Sequence, residues 1–145
     1  SEIHLQSSIS EEYRREIEAL FFFNPKQVVV RERVRQHVER YGAPALQCHE
    51  GLLSLALSEV EQAQTLFIMM GNRPAKLIGV LLYVREAECL RVLYLALIPA
   101  CTRTWRMSCS VIACVLAQLR RLARNIKGVC QIEFSLDCKD VTVRL

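Results

Sequence analysis

Arg103 and Arg106 stand in the stretch CTRTWRMSC, where a helical pattern begins. A cation at a helix N-terminus is disfavoured by about 0.3 to 1 kcal/mol, because the free amides there already carry positive potential. A bound phosphate reverses that sign, since amides and two guanidinium groups then converge on negative charge. The alternative is that both arginines are solvated or paired with surface carboxylates. Cys101, just ahead of them, either gains thiolate character in such a field or packs as a small hydrophobe. Cys48, His49 and Glu50 are metal-ligand types, but neighbours in sequence rarely converge on one ion and no partner follows at suitable spacing, so no metal is expected. Arg120, Arg121, Arg124 and Lys127 cluster near the end of the same helix, where cations complement its negative pole and form a solvated face. No aromatic residues interleave them, and nucleic acid is not an expected partner.

The elements that position these groups must fit in 145 residues, 52% of them hydrophobic, with a net charge of +4. That is enough to bury the core of one domain, and 1–145 reads as a single unit. Arg85, Arg91, Arg103 and Gln118 interrupt every greasy region, so no membrane span is expected. SEIHLQSS lacks the basic start and apolar run of a secretory signal. Seven cysteines without any Cys-x-x-Cys pair, several of them inside apolar runs, read as reduced core thiols of a cytoplasmic protein.

Ile3 to Gln6 reads as a short strand, and Ser8 with Glu11 has capping-box spacing. The first helix then buries Tyr13, Ile17, Leu20 and Phe21 and stops near Asn24, before Pro25. A second buries Val30, Val34, Val38 and Tyr41 and ends at Gly42. The runs 52–57, 65–70, 77–84 and 90–98 read as a meander, with 85–88 as a hairpin connector and 71–74 as a turn. Apolar residues on both faces of 90–98, apart from Arg91, place that strand in mid-sheet. From Thr104 to Lys127 the period is helical, with Met107, Val111, Cys114, Val115, Leu119 and Leu122 as the buried stripe and Gly128 closing it. Cys130 to Leu136 alternates as a strand, parallel to 90–98 through a right-handed crossover, and Val141 to Leu145 is a short terminal strand. The fold class is α/β (α+β): a mixed, mostly antiparallel sheet with two N-terminal helices and one long C-terminal helix.

That order, with LRVLYLALIP running into TRTWRMSCSVIACVLAQLRRLA, resembles the GCN5-related N-acetyltransferase (GNAT) superfamily over most of the chain, most strongly from Thr65 to Asp137. The resemblance implies that the strand before the long helix is splayed from its parallel neighbour. The pantetheine arm of acetyl-CoA or another acyl-CoA then pairs with that strand, and the pyrophosphate rests at the helix start. Carried over by position, Leu95, Leu97 and Ile98 lie on the pantetheine strand. Arg103, Thr104, Trp105, Arg106 and Met107 form the pyrophosphate loop. The family's later Ala-x-x-x-Tyr segment, which can supply a tyrosine general acid, has no match in LDCKDVTVRL, and its usual final helix and hairpin are not expected.

The implied reaction transfers an acyl group to a small-molecule or peptide amine, which needs a proton acceptor and a donor for the departing thiolate. Tyr94 and Glu133 are the residues selected for those roles, from a set that also holds Tyr83, Glu86 and Glu88. Each has a plainer reading as a core aromatic, a hairpin charge or the polar side of a strand. CTRTWRMSC contains no glycine, and this separates the enzyme from the other expected function, a non-catalytic interaction or regulatory module of the same fold. An open parallel edge after Phe134 invites a second copy, so a homodimer is the expected assembly.

Overall fold

From Leu77 to Val84 every residue except Gly79 is apolar. A strand without alternation needs cover on both faces. The computed structural model, described over residues 2–21, 39–42, 44–136 and 139–145, supplies it with a sheet between two apolar layers. In chain order the elements are β1 (Ile3–Gln6), β2 (Ile9–Ser10), a 3-10 turn (Glu11–Tyr13), α1 (Arg14–Phe21), β3 (Pro44–His49), β4 (Leu52–Leu57), β5 (Gln64–Met70) and β6 (Lys76–Glu86). There follow β7 (Cys89–Leu97), a second 3-10 turn (Pro99–Cys101), α2 (Trp105–Arg124), β8 (Gln131–Leu136) and β9 (Lys139–Arg144). The main sheet runs β1-β5-β6-β7-β8-β9, and only β7 with β8 is parallel. The fold is therefore mixed α+β with a mostly antiparallel sheet.

One apolar layer lies under α1, where Ile17 and Leu20 join Leu53, Leu55, Phe67, Val80, Leu82 and Tyr94. The other lies under α2, where Val115, Leu119 and Ala123 meet Ile68, Ile78, Leu81, Leu90, Leu97 and Ile132. Spacings of four along α2 place those three residues on one face. The expected stripe is corrected at two positions: Met107 is 42% exposed, and Cys114 is exposed. Val111 and Leu122 pack at its margin. The helix ends at Arg124, and Gly128 takes φ +89 in the turn beyond.

The expected meander holds for β5, β6 and β7, but β4 belongs to a separate three-stranded sheet, β2-β4-β3. A side chain bridges the two sheets. Thr65 Oγ1 accepts from the Leu55 N–H at 2.9 Å and donates to the Leu55 carbonyl at 3.1 Å, satisfying both backbone groups without a ladder. β3 was not foreseen, because PALQCH mixes Pro and polar residues and borders the sheet as an edge. The helix start also moves: Ser10, not Ser8, is the cap, with Oγ accepting from the Glu12 N–H at 3.4 Å. Ser8 is displaced from that role because Ile9 and Ser10 pair with β4. Of the second expected helix, residues 39–41 are helical and Gly42 ends them at φ +87; Val30, Val34 and Val38 lie outside the described residues.

The edge expected to be open after Phe134 is covered. β9 pairs antiparallel with β8 from Gln131–Arg144 to Leu136–Lys139, so the expected terminal strand, Val141 to Leu145, runs as Lys139–Arg144. Val141 and Val143 alternate with polar residues there, which is enough for an edge strand. β8 therefore offers no open edge to a second copy of the chain.

Candidate functional site

β7 and β8 run together only briefly. Their register pairs are Cys89 with Gln131, Leu90 with Ile132 and Arg91 with Glu133, and no further pair joins them among the described residues. Beyond Arg91 the ladder between them ends, and the remainder of β7 has no strand partner on that side among the described residues. A bulge in β7 falls at the same place, since Tyr83 faces Val92 while Leu82 faces Tyr94, leaving Leu93 without a register partner. A bulge inverts side-chain parity, and Leu93 and Tyr94, adjacent in sequence, both enter the layer under α1. Leu95 and Leu97 are thereby returned to the α2 layer.

The bulge also fixes which backbone groups face the gap. The Ile98 N–H donates to the Ile78 carbonyl at 2.9 Å, so Ile98, Ala96 and Tyr94 turn their polar groups towards β6. Alternation then turns those of Leu95 and Leu97 towards the side that β8 has left. Of the expected pantetheine strand, Leu95 and Leu97 present edges to the gap and Ile98 does not.

From Ile98 the chain turns through Pro99–Cys101 into α2. Thr104 caps that helix: its Oγ1 accepts from the Met107 N–H at 3.1 Å, and its carbonyl accepts from the Ser108 N–H at 3.2 Å. Among the described residues this leaves the amides of Trp105 and Arg106 as the open donors. Arg103 and Arg106 are exposed and enter no ion pair among the described residues. Trp105 is 57% exposed. Cys101 is buried, and burial pushes its thiol up against the smaller pull of Lys76. That supports packing over a thiolate.

Tyr94 is buried in the α1 layer, its hydroxyl donating to the Gly42 carbonyl at 3.0 Å. Burial, followed by the neighbouring Tyr41 phenol, pushes it up to about 12. Glu133 accepts from Arg91 Nε at 3.2 Å and Nη2 at 3.0 Å, and from Gln131 Nε2 at 3.1 Å. Arg91 Nη1 also reaches Glu86 at 3.1 Å. Tyr83 donates to Gln64 at 2.9 Å, away from the gap, and its phenol is pushed up by burial. The Glu88 carbonyl accepts from the Cys130 N–H at 2.8 Å, tying the β6–β7 turn to the segment that enters β8. The structure thus places Glu133 at the last β7–β8 register pair and Tyr94 in the layer under α1, and it does not bring the two together. Sequence reasoning missed Arg91 as the residue that organises this point. Its signal was legible: a lone cation in an otherwise apolar strand needs a carboxylate.

Cys48, His49 and Glu50 are exposed at the β3–β4 turn, and no group of metal-ligating side chains is gathered among the described residues. No helix among them is long and apolar enough to cross a membrane. No family model, curated protein or solved structure matches the chain.

Proposed function

We propose that the chain is an acyltransferase-like domain of the GNAT type, which binds acetyl-CoA or another acyl-CoA in the gap between β7 and β8. The observation that carries this reading is that the parallel β7–β8 ladder ends at Arg91 and Glu133, leaving the rest of β7 without a strand partner on that side among the described residues. Backbone groups of Leu95 and Leu97 turned to an unpaired side need partners, because polar groups left without water or protein cost free energy. An amide-bearing arm such as pantetheine offers both donors and acceptors. Arg103 and Arg106, exposed at the following helix start, suit the diphosphate at the other end of the same ligand. Thr104, Trp105 and Met107 complete that corner. The acceptor is a small-molecule or peptide amine, with Glu133 and Tyr94 as the proton-handling candidates.

A second reading is favoured by a specific observation: both candidates are already bonded, Glu133 to Arg91 and Gln131 and Tyr94 to Gly42. A phenol pushed up to about 12 is a weak acid at neutral pH. With a glycine-free loop, these features suit a non-catalytic interaction or regulatory module.

Calorimetric titration with acetyl-CoA and desulfo-CoA, repeated on Arg103→Ala/Arg106→Ala, separates the readings. Binding that the double substitution abolishes supports the acyl-CoA site. Absence of heat with any acyl-CoA assigns the fold to the interaction module.

A further inference from the structure

β1 pairs with β5 only from Phe67 onward, so Gln64 to Leu66 have no strand partner on that side among the described residues. At this end of the sheet lies a cavity of about 350 Å³, lined by Gln62, Ala63, Gln64, Tyr83, Arg85 and Ile126. Register brings its walls together. Gln64 faces Tyr83 across the β5–β6 ladder, and Arg85, two residues further along β6, falls on the same face. Ile126, just past α2, packs in the same apolar layer as Tyr83.

The polar groups of the cavity are fixed but not saturated. The Tyr83 hydroxyl donates to Gln64 Oε1 at 2.9 Å, which leaves the Gln64 NH2 group as a donor without a protein partner among the described residues. Arg85 donates from Nε to the Ala87 carbonyl at 3.3 Å and from Nη2 to the Lys127 carbonyl at 2.7 Å. Those bonds anchor the guanidinium and leave Nη1 open. No carboxylate lines the cavity, and Arg85 enters no ion pair among the described residues. Glu86, its sequence neighbour, reaches Arg91 instead at 3.1 Å. α2 contains no acidic residue, and Arg121 and Arg124 stand in its last turn. Surplus donors and positive charge thus surround a small, partly apolar space.

We infer that this cavity binds a small monocarboxylate, with its carboxylate on Arg85 and the Gln64 amide and its apolar body against Ala63 and Ile126. The inference does not rest on the acyl-CoA reading. Arg85 lies six residues along β6 from Gly79, which faces Leu97, a separation of about 20 Å of strand. A neutral ligand of the same shape forgoes the charge, and a cationic one is repelled.

NMR titration of the full chain with benzoate, benzamide and benzamidine tests this. Benzoate is expected to give saturable shifts at the Gln64 side-chain amide and the Ile126 backbone amide. It should bind about ten-fold more tightly than benzamide, with no binding of benzamidine. Arg85→Gln should weaken benzoate by about ten-fold, and Gln64→Leu by about three-fold. Both residues are exposed, so unchanged melting temperatures are expected; should Arg85→Gln lose the fold, Gln64→Leu decides. Overturning results are shifts that do not saturate or that lie outside the cavity, equal affinity for the three probes, or undiminished benzoate binding in the folded variants.

Discussion

Arg91 and Glu133 form the last register pair of the β7–β8 ladder, and their side chains meet at 3.0 Å across it. Glu86 holds the other side of the guanidinium at 3.1 Å. The ion pair therefore lies where the parallel ladder ends, with the Leu93 bulge next to it in β7. Backbone pairing, bulge and charge together set where the gap begins.

This clasp should contribute little to overall stability. The Arg91 side chain is 37% exposed and that of Glu133 30%, so solvent screening limits the pair to about 0.5–1 kcal/mol. Arg91→Met is expected to lower the unfolding free energy by about that amount. Urea denaturation measures it, and a loss several times larger would mean that the clasp holds the sheet together.

Gly79 faces Leu97 across the β6–β7 ladder. A Cβ there would lie 2.7 Å from the Ala96 carbonyl oxygen and 2.7 Å from a Leu97 methyl. Backbone cannot yield as a side-chain tip can, so Gly79→Ala should cost about 1–3 kcal/mol by overpacking. It should also displace β7 beside Leu97. Thermal unfolding reads the first effect, and amide chemical shifts of residues 95–98 read the second.

Leu119 is fully buried under α2, whereas Cys114 on the same helix is exposed. Leu119→Ala should cost about 2–5 kcal/mol through lost burial and the cavity left behind. Cys114→Ser should stay within about 0.5 kcal/mol of wild type. Equal losses at the two positions would contradict the helix orientation.

Tyr94 makes stability fall at alkaline pH. Its phenol is pushed up to about 12, above the ordinary value near 10, so between those pH values the unfolded chain ionises while the folded chain does not. The contribution is complete below pH 10 and lost as pH rises towards 12, about 1–3 kcal/mol in all. Tyr94→Phe should flatten this part of the stability profile. It should also cost about 1–2 kcal/mol at neutral pH, by leaving the Gly42 carbonyl unpaired.

Much of the architecture was legible because it rests on periodicity. Leu77 to Val84 is apolar on both faces and Val115, Leu119 and Ala123 repeat every fourth residue, which fixes a buried strand and a helix face. What escaped depends on tertiary competition. Ser8 has capping-box spacing, but Ser10 caps because β2 pairs with β4. Leu52–Leu57 reads as a strand like the runs that follow it yet joins another sheet, since Thr65 replaces the ladder with its hydroxyl. At the site, the arginines could be read from the sequence, but the bulge could not. Nothing in RVLYLAL marks Leu93 as the extra residue, because a bulge is defined by its partner strand.

The central claim is that Leu95 and Leu97 present backbone edges which an acyl-CoA arm can pair with. Amide hydrogen exchange along β7, measured with and without saturating acetyl-CoA, tests it most directly. The prediction is fast exchange at Leu95 and Leu97 beside slow exchange at Tyr94, Ala96 and Ile98, with acetyl-CoA slowing the first two selectively. Slow exchange at Leu95 and Leu97 in the free protein, or no change on ligand addition, would contradict the account.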